Sequence, residues 1–209
     1  MQSIGGDEAC PHVIFGDVLG RAKVQGLLNY VEARQNQFEP AVVRSRVTGA
    51  NRIDHTLRNS MRLDDLGPFR AAIGALMQDV ALPAAKALKV SETALEPREF
   101  CVLAYPDGSY FKAHIDTSEE LHKVRALSCV YYFAATPRRF SGGALRIYAM
   151  PTLSAARSGT LPFIDVAPET DTLVVFPSWL RHEVLPVSVP SGQWIDGRFT
   201  INCWLHRAA

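Results

Sequence analysis

The chain has 209 residues, enough for one domain to bury a substantial core without disulfide or metal staples. Its apolar fraction of 47% and charged fraction of 21% are those of an ordinary globular protein, and no apolar run is long enough to cross a bilayer as a helix. The net charge of +1 gives no electrostatic reason to expect nucleic acid or an anionic membrane as partner. Residues 1–13 lack the basic and apolar regions of a secretory signal. Cys10, Cys101, Cys129 and Cys203 are widely spaced with no CxxC pair, which points to reduced, buried thiols in a cytoplasmic protein.

In chain order, an apolar run at 12–15 precedes an amphipathic helix over 18–34, with Val24, Leu27, Leu28 and Val31 at i, i+3, i+4, i+7 spacing. Residues 44–65 are polar with weak periodicity and read as strand or loop. A second helix starts near Gly67-Pro68, carries the stripe Phe69, Ile73, Leu76, Met77 and Val80, and is interrupted or ended by Pro83. From Arg98 the pattern turns to short strands, at 99–105, 110–115, 125–133, 144–148, 161–166, 172–176, 182–187 and 199–205. Turn residues such as Pro106-Asp107-Gly108 and Ser141-Gly142-Gly143 separate them. This predicts one mainly β domain, a sandwich or jelly-roll core over 98–209 with helical support from 1–97.

Strand phase locates a polar row. In 198–205, Phe199, Ile201, Cys203 and Leu205 share one face, while Arg198, Thr200, Asn202 and Trp204 share the other. The polar face could meet solvent, or it could line a barrel mouth if the helices cover the apolar face.

His114-Ile115-Asp116 places an imidazole and a carboxylate on one side of a strand, where both can reach one metal. Such a pair alone is weak evidence, since it also occurs as a surface hydrogen bond. His182, after an apolar strand and a turn, is the strongest third ligand, and two His with one carboxylate suit an oxygen-activating Fe(II). His12, His55, His122 and His206 lack such a context and read as surface or structural residues. Arg198, on a following strand, requires a carboxylate if it is buried. A bound dicarboxylate is one candidate, with Thr200 adding a hydroxyl, and a surface bridge to Asp196 is the other.

The order HxD, distal His, then Arg-x-Thr resembles the 2-oxoglutarate/Fe(II) dioxygenase superfamily, and within it the prolyl-hydroxylase branch. The segments that carry the likeness are 103–106 through 114–116, 128–132, 141–147, 181–186 and 198–204. The resemblance implies a double-stranded β-helix, a jelly-roll, with N-terminal helices packed on one sheet. It implies iron at His114, Asp116 and His182, 2-oxoglutarate as cosubstrate with O2, and ascorbate as a supporting reductant. Arg198 would hold the 5-carboxylate with help from Thr200 and Tyr132, Asn202 would line the same pocket, and Tyr105 would stand near the iron. Val130, Leu145, Val184 and Trp204 would form walls. The activity implied is hydroxylation of a prolyl or similar residue in a peptide or protein, with a free amino acid or small metabolite as the alternative substrate and a non-enzymatic cupin-type metal protein as a remote one. Asp116 sets the chain apart from halogenating relatives, and Trp204 stands where a nucleic-acid demethylase would carry a second Arg. Collagen-type relatives often carry Lys at the position of Arg198, and the loop 188–197 is longer than in the oxygen-sensing relatives. The polar segment 117–125 is expected to act as a mobile lid.

Overall fold

The structure is a computed structural model that describes residues 2–5, 9–44, 49–90, 94–117, 124–150 and 161–207. The N-terminal part holds β1 (Gln2–Gly5), β2 (Val13–Gly16), helix α1 (Arg21–Ala33), β3 (Glu39–Pro40), β4 (Val43–Arg44), β5 (Asn51–Arg52), β6 (Arg58–Asn59), β7 (Met61–Leu63) and helix α2 (Arg70–Ala87). Next come β8 (Leu95–Tyr105), β9 (Tyr110–His114), β10 (Arg125–Phe133), β11 (Ser141–Gly142) and β12 (Leu145–Tyr148). The last are β13 (Phe163–Val166), β14 (Thr172–Pro177), β15 (His182–Val184), β16 (Val187–Ser188) and β17 (Arg198–Arg207).

Two antiparallel sheets face each other. The larger has eight strands in the order β1-β2-β14-β10-β17-β8-β7-β3, and the smaller has five in the order β13-β12-β15-β9-β6. β17 lies centrally in the larger sheet, with Cys129 opposite Cys203 on one side and Leu103 opposite Thr200 on the other. Its two faces separate as alternation requires. Phe199, Ile201, Cys203 and Leu205 join the core formed with Leu27 and Val31 of α1 and Ile73, Met77 and Val80 of α2. The helices therefore cover the apolar face, and the polar face of β17 turns toward the smaller sheet. This is the jelly-roll arrangement with helices on one sheet that the sequence predicts.

Three local features differ from the sequence pattern or extend it. Pro83 lies inside α2 rather than ending it. Ala84 and Ala85 are buried against the sheet just beyond it, so packing holds the last turn against the proline's cost. The N-terminal part also supplies strands to both sheets, with β1 and β2 flanking β14, β7 and β3 flanking β8, and β6 flanking β9. Finally, α1 starts at Gly20 without a side-chain cap of its own. Asp171, before β14, accepts the backbone N–H groups of Leu19 and Gly20 at 2.9 and 2.8 Å and the Tyr131 hydroxyl at 2.9 Å. One buried carboxylate thus ties the helix start to the sheet. Among the described residues, no helix is long and apolar enough to cross a membrane.

Candidate metal centre and cosubstrate pocket

His114 ends β9 and His182 begins β15, and the ladder sets these two residues opposite each other. Asp116 follows two residues after His114, with its N–H bonded to the Ser178 carbonyl of the turn that leads into β15. The result is one cluster. His114 Nε2 lies 3.6 Å from Asp116 Oδ1, and His182 Nε2 lies 3.6 Å from Asp116 Oδ2. Among the described residues these three form the group able to hold a metal, with ligand atoms all within 4.8 Å of one another.

Both imidazoles are oriented by their own strands. His114 Nδ1 lies 2.8 Å from the Lys112 carbonyl, and His182 Nδ1 lies 2.9 Å from the Leu180 carbonyl. Each contact requires the proton on Nδ1, which leaves the Nε2 lone pair facing the other ligands. His182 is the more enclosed of the two, against Phe176. Burial and the neighbouring His114 bring its pKa down to about 4, so it is neutral and ready to ligate at physiological pH. For Asp116, burial works upward, but the positive charge that His182 and His114 carry when protonated, together with the Ser128 hydroxyl, outweighs it and holds the carboxyl well below the usual range.

Asp116 is also held from behind. Its Oδ2 accepts a hydrogen bond from Ser128 Oγ at 2.6 Å and from Trp204 Nε1 at 3.0 Å. Ser128 and Trp204 are paired across β10 and β17, so one rung of the larger sheet supplies both donors. Arg125 donates to the Asp116 carbonyl at 2.7 Å, lies 4.1 Å over the Trp204 ring, and pairs with Glu99. Glu99 in turn contacts His206 at 2.8 Å. Sequence reasoning placed Trp204 as a wall and His206 as surface or structural, and it did not single out Ser128 alone, Arg125 or Glu99 as supports. The signal that could have found them is cross-strand register, which one strand's periodicity does not contain.

Arg198 sits deeper along the same polar row, only 1% exposed. Its guanidinium lies 4.5 Å from the Tyr105 ring and 4.9 Å from the Tyr132 ring. Asp196 is not its partner, since that carboxylate accepts from Ser191 and Arg198 faces inward. Gly143 closes the pocket. At φ +69°, an added Cβ there would come within 2.7 Å of Arg198 Cδ and 2.9 Å of Val187 Cγ2.

Five buried polar atoms in this pocket lack protein partners. Arg198 Nε and Nη1, Tyr132 Oη, Thr200 Oγ1 and Asn202 Oδ1 are buried with no hydrogen bond. Burial raises the Tyr132 hydroxyl's pKa, against the opposing pull of the Arg198 charge, so it stays a neutral donor. A buried cation beside idle hydroxyl donors is costly unless an anion fills the space. A carboxylate would satisfy the Arg198 guanidinium and the two hydroxyls. Tyr105 stands here beside Arg198. Of the expected lid, 118–123 lie outside the described residues.

The pocket and triad open into one cleft of about 1790 Å³, walled by both sheets and by residues of β4, β5 and β6.

Comparison with known proteins agrees with this geometry. The family model of the 2OG-Fe(II) oxygenase superfamily matches residues 100–206. An uncharacterized PKHD-type hydroxylase of Synechocystis sp. is 34% identical over 109 residues, 52% of this chain and 36% of that protein. The chain thus matches over about a third of that relative's length. Among solved structures, a Pseudomonas putida prolyl-4-hydroxylase superposes with TM-score 0.63 at 22% identity, covering 95% of this chain and 93% of that one. A Trichoplax adhaerens prolyl hydroxylase, in complex with a hypoxia inducible factor peptide, gives 0.62 at 18%, covering 93% and 83%. The collagen prolyl hydroxylase of Paramecium Bursaria Chlorella virus-1 gives 0.58 at 15%, covering 94% and 96%. At those identities the structures speak to the fold, and the family match speaks to the lineage. With more than half its length matched, this chain belongs to the 2OG-Fe(II) oxygenase superfamily, whose members use Fe(II), 2-oxoglutarate and O2.

Proposed function

We propose that the chain is a hydroxylase of a prolyl or similar residue presented in a peptide or protein. The observation that carries this reading is the size and shape of the cleft. Sites for small molecules usually occupy about 300–1,000 Å³. Here about 1790 Å³ runs from the Arg198 pocket past the triad and out between the two sheets. That space exceeds what 2-oxoglutarate and a free amino acid need together, and it suits an extended segment. The prolyl hydroxylases among the structural neighbours support the same choice.

In this reading His114 and His182 hold the metal through Nε2, and Asp116 holds it through a carboxylate oxygen. Arg198 receives the distal carboxylate of 2-oxoglutarate, Thr200 and Tyr132 add hydroxyl donors, and Asn202 lines the same space. Tyr105 packs the guanidinium in place. Bound there with O2, iron and 2-oxoglutarate supply the two-electron oxidation of a C–H bond, with ascorbate as a reductant that keeps the iron ferrous. The chain's own task is geometric. Ser128 and Trp204 fix the carboxylate, the strand carbonyls fix the imidazoles, and the paired sheets exclude water from the pocket floor. The four buried free thiols support a reducing, cytoplasmic setting.

The test is aerobic incubation with Fe(II), labelled 2-oxoglutarate and either proline-containing peptides or free amino acids. The reading predicts succinate and the gain of one oxygen on the peptide. Oxygen gained by a free amino acid and by none of the peptides would transfer the chain to the small-metabolite class.

A further inference from the structure

The outer cleft carries a charge that the whole chain does not. The net charge of the protein is +1, yet Arg44, Arg52, Arg58, Arg62, Lys112 and Arg125 line the cleft beyond the triad, with Glu99 as the acid among them. Several have local partners. Arg52 pairs with Asp54, Arg62 with Asp64, and Arg125 with Glu99. Among the described residues, even with those acids counted, the cations beyond the triad outnumber the acids.

Arg58 differs from the rest because it is buried. Only 8% of it is exposed, and its hydrogen bonds go to neutral acceptors, from Nε to Ser60 Oγ at 2.8 Å and from Nη1 to the Val42 carbonyl at 3.3 Å. No carboxylate among the described residues pairs with it. A buried guanidinium without an anion is expensive, and the usual remedy is a ligand that brings one. The site also has a fixed position relative to the metal ligands. Arg58 lies 4.5 Å over the Phe111 ring, and Phe111 stacks on His114 at 3.5 Å. β6 and β9 set this column by pairing Arg58 with Phe111.

We infer that the substrate segment is acidic, and that Arg58 receives a carboxylate side chain about two residues from the one oxidised. The spacing follows from the column, because alternate side chains of an extended segment stand roughly 7 Å apart on one face. That matches one stacked ring between Arg58 and His114. The remaining cations at the cleft rim draw an acidic segment in and favour it over a neutral one. This rests on the hydroxylase reading for its location, and on charge and burial for its chemistry.

The experiment compares matched peptides, each with a central proline, carrying Glu or isosteric Gln at the positions two residues to either side. Binding is measured anaerobically on the protein loaded with Mn(II) and 2-oxoglutarate, and oxygen gain is measured aerobically with Fe(II). The Glu peptide is expected to bind about ten- to a hundredfold more tightly, as for one charge-assisted contact, with the preference shrinking as salt is raised. Arg58→Gln should remove most of that preference, and Arg58→Lys should retain part of it. Equal binding of Glu and Gln peptides by the wild-type protein overturns the inference without any variant having to fold. So does tighter binding of a single-stranded oligonucleotide or of free glutamate than of the Glu peptide. Charge-dependent binding without oxygen gain leaves the acidic ligand standing and removes the peptide-hydroxylase reading. Oxygen gain on both peptides alike does the reverse.

Discussion

The indole of Trp204 donates to Asp116 Oδ2 across 3.0 Å, and so joins the central strand of the larger sheet to the single carboxylate of the triad. Ser128 donates to the same oxygen at 2.6 Å. Two donors on one oxygen fix the carboxylate's rotation and leave Oδ1 as the less encumbered ligand atom. Supports of this kind typically contribute 10–100-fold in metal affinity. Trp204→Phe and Ser128→Ala should each weaken Fe(II) or Mn(II) binding within that range, with little change in circular dichroism. A metal affinity unchanged in both variants would make the two contacts incidental.

Replacing the ligands themselves should have a larger effect. His114→Ala, Asp116→Ala or His182→Ala should each abolish turnover while the protein stays folded, because the sheets and helices form their own core. An iron titration alongside circular dichroism checks this. Full activity in any one variant removes that residue from the ligand set.

The polar row of β17 was legible from alternation alone, since Arg198, Thr200 and Asn202 fall on one face and apolar residues on the other. HxD and the distal His were legible from spacing and chain order. The supports of Asp116 were not, because Ser128 and Trp204 meet it only through the register of β10 against β17. Arg58 was not legible either. It sits on a two-residue strand, too short to show a period, and its neighbour Phe111 comes from another part of the chain. The 44–65 region stayed open between strand and loop for the same reason, and Pro83 misled because burial of Ala84 and Ala85 overrides local propensity.

Gly143 should be as sensitive as a residue with a functional side chain. Its left-handed backbone and the 2.7 Å approach to Arg198 Cδ leave no room for a methyl group. Gly143→Ala is expected to displace the Arg198 side chain and weaken 2-oxoglutarate binding by about tenfold or more, at roughly 1.4 kcal/mol per tenfold. Metal binding should change far less, since the triad is carried by β9, the segment just after it, and β15 rather than by β17. Titration of 2-oxoglutarate against the Mn(II) form distinguishes the two, and equal loss of both ligands would indicate general unfolding instead.

Asp171 supplies a contrast, as a buried acid with a structural task. It accepts from Leu19 N, Gly20 N and Tyr131 Oη, and none of these belongs to the triad or the Arg198 pocket. Asp171→Ala should cost about 1–3 kcal/mol by leaving buried donors unpaired. At about 2–4 °C per kcal/mol for a chain of this size, thermal unfolding should shift down by several degrees. Cosubstrate affinity below the transition should remain near wild type.

The central claim is that Arg198 is the anchor of the cosubstrate. The measurement that tests it most directly is 2-oxoglutarate affinity of the anaerobic Mn(II) form, wild type against Arg198→Leu. Loss of one partner of a buried charge pair costs about 3–5 kcal/mol, so affinity should fall by about 10² to 10³·⁵. Thr200→Ala, which removes one hydroxyl donor, should cost about tenfold. Metal affinity should be nearly unchanged in both, because His114, Asp116 and His182 are untouched. A 2-oxoglutarate affinity within a factor of a few of wild type for Arg198→Leu would contradict the account.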